Sequence, residues 1–79
     1  MKKGSIVKGL YIIGVLDCIK EEKIIVKYVI HQHSTYFHPR GCILIRNIKT
    51  PTKKEKEKYK KLLLKNGYSY YRGKVTREL

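Results

Sequence analysis

Two long β-branched runs around a short polar segment dominate the chain. Residues 10–19 read Leu-Tyr-Ile-Ile-Gly-Val-Leu-Asp-Cys-Ile, and residues 24–31 read Ile-Ile-Val-Lys-Tyr-Val-Ile-His, with Lys20-Glu21-Glu22-Lys23 between them. Runs of this kind joined by a polar turn predict a β-hairpin. In the second run Ile24, Val26, Tyr28 and Ile30 share one face by period-two spacing, and Ile25, Lys27, Val29 and His31 share the other. The second face is only half polar, so one side of the hairpin should be fully buried and the other partly covered. A chain of 79 residues has room for one domain.

The flanking segments extend the β pattern. Gly4-Ser5-Ile6-Val7-Lys8-Gly9 is a short strand between glycines, and residues 41–45 carry another, Cys-Ile-Leu-Ile after Gly41. Residues 31–39 read as a polar, aromatic loop with a short strand around residues 35–37. Gly14 inside the first long run marks either a bulge or bend, or a glycine that is merely tolerated. The expected core is Ile6, Ile13, Val15, Ile24, Val26, Tyr28 and Ile30.

After residue 50 the period changes. Thr52 followed by Glu55 fits a capping box, and a helix is expected over residues 53–65, stopping at Asn66-Gly67. Tyr59, Leu62 and Leu63 form its narrow apolar stripe, while seven lysines cover most of the rest. The expected organisation is a β unit over residues 1–49, a helix packed on it over residues 50–67, and a basic, aromatic tail over residues 68–79. The fold class is mainly β with one C-terminal helix.

The order of these segments resembles an SH3-like small barrel. Gly4-Ser5-Ile6-Val7 is similar to the opening strand of such barrels. Ile13-Gly14-Val15-Leu16-Asp17 followed by Ile24-Ile25-Val26-Lys27-Tyr28 is similar to their bent central hairpin. The resemblance covers residues 4–48 and implies a compact five-strand antiparallel barrel with a helix appended. Barrels of this type host nucleic-acid and protein binding alike, so fold does not decide function. The size and lysine bias also resemble small proteins of phages and mobile elements.

Several function classes are disfavoured. No apolar run reaches the roughly 18 residues of a membrane span. The basic start Met1-Lys2-Lys3-Gly4 lacks the continuous apolar stretch and small-residue site of a secretory leader, so a cytoplasmic location is expected. Two cysteines make no disulfide framework. Of the acids, only Asp17 stands mid-strand where burial is open to it. Cys42 and His38 lack a third, orienting group, so no catalytic residues and no cofactor are assigned. His31, His33, His38, Cys42 and Cys18 are of ligand type but match no familiar zinc spacing, and no metal is expected.

The charge remains. Lys and Arg number 19 against 6 Asp and Glu, a formal +13. Lys, Ile and Tyr are favoured by A/T-rich coding DNA, which is one source of this excess. A field of this size nevertheless concentrates polyanions near the protein. Lys54, Lys58 and Lys61 on the helix are candidate phosphate contacts. Tyr36, Phe37 and Arg40 in the loop, and Tyr70 and Arg72 in the tail, are candidate contacts for unpaired bases. Lys outnumbers Arg 15 to 4, which favours backbone contact over bidentate base readout. The expected function is therefore sequence-tolerant binding of DNA or RNA. The alternative is a protein-interaction module, phage-like in character, that binds and modulates or inhibits a host or defence protein, since tyrosine-rich surfaces also serve interfaces. Pairing of exposed strand edges into a homodimer is a third course.

Overall fold

The computed structural model describes residues 2–77. Strands β1 (Ile6–Lys8), β2 (Ile12–Lys20), β3 (Lys23–His31) and β4 (Phe37–Leu44) form one antiparallel sheet in that order. A 3-10 turn over Ile45–Asn47 leads to helix α1 (Lys53–Lys65), after which β5 (Tyr68–Tyr71) and β6 (Lys74–Arg77) pair as a separate hairpin. The protein is mainly β with one helix near its C-terminal end. No helix among the described residues is long and apolar enough to cross a membrane. Met1, Glu78 and Leu79, at the outer limits of the expected units 1–49 and 68–79, lie outside the described residues.

The long hairpin turns at Glu21 and Glu22, but its two strands do not pair straight through. Val15 stands across from Lys27 and Ile13 from Ile30, so Gly14 faces two residues, Tyr28 and Val29. The extra residue is a β-bulge, and Tyr28 adopts a left-handed φ of 53° to make it. The bulge swaps faces within β3. Ile24 and Val26 pack on one side together with Val29, whereas Ile30 and Tyr28 pack on the other. Simple alternation over residues 24–31 therefore fails at Tyr28, which is half-buried at the core's rim, while the other six expected core residues are buried. Gly14 has a reason to be glycine. A Cβ there would stand 3.1 Å from the Lys27 carbonyl oxygen and 3.2 Å from Val26 Cβ, tighter than a well-packed interior accommodates without shifts. A second irregularity in β2 leaves Asp17 without a partner between Leu16 and Cys18. Its carboxylate is half-buried, 3.7 Å from the Lys3 ammonium and 3.6 Å from that of Lys27.

Because of the bulges the sheet buries apolar residues on both sides. Helix α1 covers one side, setting Tyr59 and Leu63 against Ile6, Ile13, Val15 and Ile30. Leu62 is only half-buried there, beside Tyr68, Tyr70 and Val75 from the last hairpin. The other side curls over itself, bringing Val7 of β1 and Ile43 of β4 into one cluster with Leu16, Ile24, Val26 and Val29. The hydrogen-bonded ladder does not run on into a closed barrel. The expected strands around residues 35–37 and 41–45 are a single strand, β4, and β1 makes only one bridge to the chain beyond it, with Lys8 and Lys49 exchanging backbone hydrogen bonds of 3.1 and 2.8 Å.

Two further segments differ from expectation. Residues 37–44 form one continuous strand, where a loop through Pro39 and a strand from residue 41 were predicted. β4 is a sheet edge, and Pro39 falls between the His38 and Arg40 pairings, across from the bulge at Tyr28, a place where a missing N–H is tolerated. The expected tail is a hairpin whose turn takes positive φ at Arg72 (47°) and Gly73 (81°). That pair of dihedrals matches the twist of the flanking strands.

Candidate nucleic-acid interface

Helix α1 is the element that organises the basic surface. Thr52 accepts a hydrogen bond from the Glu55 backbone N–H at 3.2 Å, and the Glu55 carboxylate accepts one from the Thr52 N–H at 2.8 Å, completing the expected capping box. The same carboxylate receives both remaining contacts from Lys8, whose Nζ donates to its two oxygens at 2.9 and 2.7 Å. The Lys8 hydrogen bond, followed by that from Thr52, holds the Glu55 carboxyl below the ordinary glutamate range. Helix start and β1 are thereby clamped together. Deeper in, Tyr59 donates its hydroxyl to the Tyr28 carbonyl at 2.6 Å. Burial, then the neighbouring Tyr70 and Tyr28 phenols, push the Tyr59 hydroxyl well above the ordinary tyrosine range.

With Tyr59 and Leu63 facing inward, the lysines divide into two sets. Lys54, Lys58 and Lys61 recur on the outer face, all exposed, and line a shallow depression together with Thr52, Glu55 and Glu57. The structure thus brings the three predicted helix residues together, but with two carboxylates among them. Lys56 and Lys60 lie on the flank toward β1. They join Lys49, Ser5, Ile6, Val7, Ile48, Thr50 and Tyr70 around a groove of about 550 Å³ that no carboxylate lines. This groove was not foreseen. The i, i+4 spacing of Lys56 and Lys60 beside Tyr59 was visible, but Lys49 reaches them only through the Lys8–Lys49 bridge, which no local pattern announces.

The aromatic candidates have unequal positions. Tyr36 is 60% exposed and stands 4.5 Å, centroid to centroid, from His38. His31 lies 5.3 Å from His38 in turn, so the three rings form an aromatic cluster at the start of β4. Phe37 points the other way, stacked on Tyr68 at 5.4 Å and packed against the core. Arg40 is exposed on the edge strand β4. Tyr70 is half-buried, donates its hydroxyl to the Gly4 carbonyl at 2.6 Å and carries Lys60 over its ring at 5.7 Å. Arg72 sits at the tip of the last hairpin, 5.2 Å from the ring centre of Tyr71. The loop residues around Tyr36 and the helix lysines are thus separate patches, and only Tyr70 adjoins a lysine groove.

Among the described residues no three His, Cys, Asp or Glu side chains converge as a metal site would need, and Cys18 and Cys42 are both free thiols. Compared with protein-family models, with curated proteins and with solved structures, the chain matches none.

Proposed function

We propose that the protein is a small basic nucleic-acid-binding protein that contacts the phosphate backbone of DNA or RNA with little sequence preference. One observation carries this reading. Of the 19 Lys and Arg residues, only Lys3, Lys8 and Lys27 lie within ion-pair distance of a carboxylate among the described residues. Most of the others stand on strands or on the capped helix α1, none of them has a carboxylate within that distance among the described residues, and each is available to exchange its counterions for phosphates. The preponderance of Lys over Arg supports backbone contact rather than base readout. On this reading the fold is an SH3-like small barrel with α1 appended, the Lys8–Lys49 bridge standing where a fifth strand would close it. The protein would be a cytoplasmic binding module without catalysis or cofactor, of the kind small mobile-element proteins provide.

The test is binding of labelled random duplex and single-stranded oligonucleotides across a salt series. The expected result is binding at about 50 mM salt that falls steeply as salt rises. No binding of the folded protein at that salt would exclude the reading.

A second reading is favoured by a different observation. Leu10 and Tyr11 are 57% and 65% exposed and line a shallow cleft with Cys42, Ile43 and Leu44. Exposed apolar residues of this size suit contact with another protein, a host or defence protein or a second copy of the chain. Affinity capture that survives nuclease treatment, and a dimer in sedimentation that Tyr11→Ser abolishes, would support it.

A further inference from the structure

The groove beside β1 is a concavity whose chemistry differs from that of the outer helix face. Its volume, about 550 Å³, falls in the range that bound ligands fill. Lys49, Lys56 and Lys60 converge on it, and none of them has a carboxylate within ion-pair distance among the described residues. Lys56 and Lys60 are half-buried, and the Lys60 ammonium stands 5.7 Å from the centre of the Tyr70 ring. Like charges gathered in a cleft with low-dielectric walls focus the potential there. On the outer face, by contrast, Glu55 and Glu57 stand among Lys54, Lys58 and Lys61.

The backbone adds a donor. Lys8 uses its N–H and C=O on Lys49, so it faces away from β2, and by the alternation of an antiparallel ladder Ile6 faces the same way. The chain opposite continues through Thr50 to Pro51, whose missing N–H leaves the Ile6 C=O without a ladder donor, and the Ile6 N–H donates to no carbonyl of that segment. The Ile6 N–H is therefore turned toward the groove that Ile6, Lys49 and Thr50 line. Tyr70 forms one end, its ring held in place by the hydroxyl bond to Gly4.

We propose that this groove seats the backbone of single-stranded nucleic acid, with Lys49, Lys56 and Lys60 on its phosphates, the Ile6 N–H donating to a phosphate oxygen, and Tyr70 as an aromatic wall. The inference rests on the nucleic-acid reading above and names which form is bound and where. A concave groove between a strand and a helix flank admits one extended chain, whereas a duplex presents a convex surface suited to the open outer face of α1. An acidic extended peptide would use the same lysines and both the N–H and the C=O of Ile6, and it is distinguished by the test.

Fluorescence anisotropy would compare wild type with K49Q/K56Q/K60Q and K54Q/K58Q/K61Q, variants of equal net charge whose folding is checked by thermal melts. The probes are a labelled oligo-dT, a random duplex, and a poly-glutamate peptide as competitor. The groove variant should lose up to about a hundredfold in oligo-dT affinity at about 0.1 M salt and flatten the log–log salt slope by about 2. The outer-face variant should lose less than about a third as much, and poly-glutamate at equal charge concentration should displace little oligo-dT. Equal losses from the two variants would overturn the groove assignment, leaving general electrostatic binding. Efficient displacement by poly-glutamate would overturn it in favour of an acidic peptide. Failure of wild type to bind either oligonucleotide would remove the broader nucleic-acid reading, and this inference with it.

Discussion

Tyr59 donates its hydroxyl to the backbone carbonyl of Tyr28 at 2.6 Å, tying the buried stripe of the helix to the bulge in β3. The bulge disrupts the local ladder, and the tyrosine hydroxyl satisfies a carbonyl at that irregularity. One side chain therefore does two things: its ring fills the contact between helix and sheet, and its hydroxyl caps the place where the sheet changes face. Tyr59→Phe keeps the ring and removes the hydrogen bond. It should cost about 1–3 kcal/mol by leaving the Tyr28 carbonyl short of its partner, read as a lower midpoint in urea with an unchanged m-value. The same residue gives an alkaline signature. Its ionisation is held off in the fold by burial, so below about pH 10 both folded and unfolded chains carry it neutral and stability is full. Above that pH the unfolded chain ionises first and stability falls. Tyr59→Phe should lack this component, so its loss of stability between neutral pH and pH 11 should be smaller than that of wild type.

The clamp between Lys8 and Glu55 has the opposite pH sense. The Glu55 carboxyl titrates below its ordinary value, chiefly through the Lys8 hydrogen bond. Its contribution is therefore complete above the ordinary glutamate value of 4.5 and is lost as pH falls through and below that region. With the side chains 21% and 33% exposed, solvent screening limits the pair to about 1 kcal/mol. A double-mutant cycle with Lys8→Met and Glu55→Gln should show a coupling energy of that size at pH 7 that shrinks as the pH is lowered below 4.5. A coupling unchanged at pH 3 would assign it to packing of the lysine stem instead.

Gly4 and Gly73 lie backbone to backbone, where the last hairpin meets the start of β1. Gly4 has φ of +93°, and a Cβ on it would overlap the Gly73 carbonyl oxygen. Gly4→Ala should therefore force the hairpin off the sheet and break the Tyr70 hydroxyl bond to Gly4. Amide exchange should then accelerate in β5 and β6 while protection in β2 and β3 persists. Uniform loss of protection across the chain would mean that the hairpin and sheet fold as one cooperative unit.

Much of this architecture was legible because its signals are local. The polar turn after residue 19, the capping box from Thr52 to Glu55, and the Asn66-Gly67 stop all act within a few residues, and the helix runs over Lys53–Lys65 as expected. Tyr28 could not be placed correctly from its own strand. Its departure from alternation arises from the pairing of β3 with Gly14 of β2, a register that period-two counting within one strand does not contain. The last hairpin was missed because its turn uses Arg72 before Gly73, where Asn or Asp before Gly would have announced it. Of the candidate site, the outer lysines followed from helical spacing alone. The groove needed Lys49 to be brought to Lys56 and Lys60 by a single bridge between residues 41 positions apart.

The neighbours Tyr36 and Phe37 separate a binding role from a packing role within two residues. Phe37 is stacked on Tyr68 at 5.4 Å, and Tyr68 lies 5.1 Å from Tyr28, so Phe37 belongs to the aromatic rim of the core. Truncating a half-buried ring of this kind should cost about 1–3 kcal/mol, less than the full burial penalty. Tyr36 is 60% exposed, and its contacts are with the histidine rings of His38 and His31. Tyr36→Ala should change stability by less than about 0.5 kcal/mol. A base stacked on that ring contributes roughly 1–3 kcal/mol, so the same variant should weaken oligo-dT binding roughly five- to a hundredfold while affecting duplex binding little. Thermal melts of both variants, followed by anisotropy on Tyr36→Ala, decide the matter. A stable Tyr36→Ala protein that binds oligo-dT as tightly as wild type would show that the cluster at the start of β4 takes no base, and single-strand contact would then rest on the lysine groove beside Tyr70 alone.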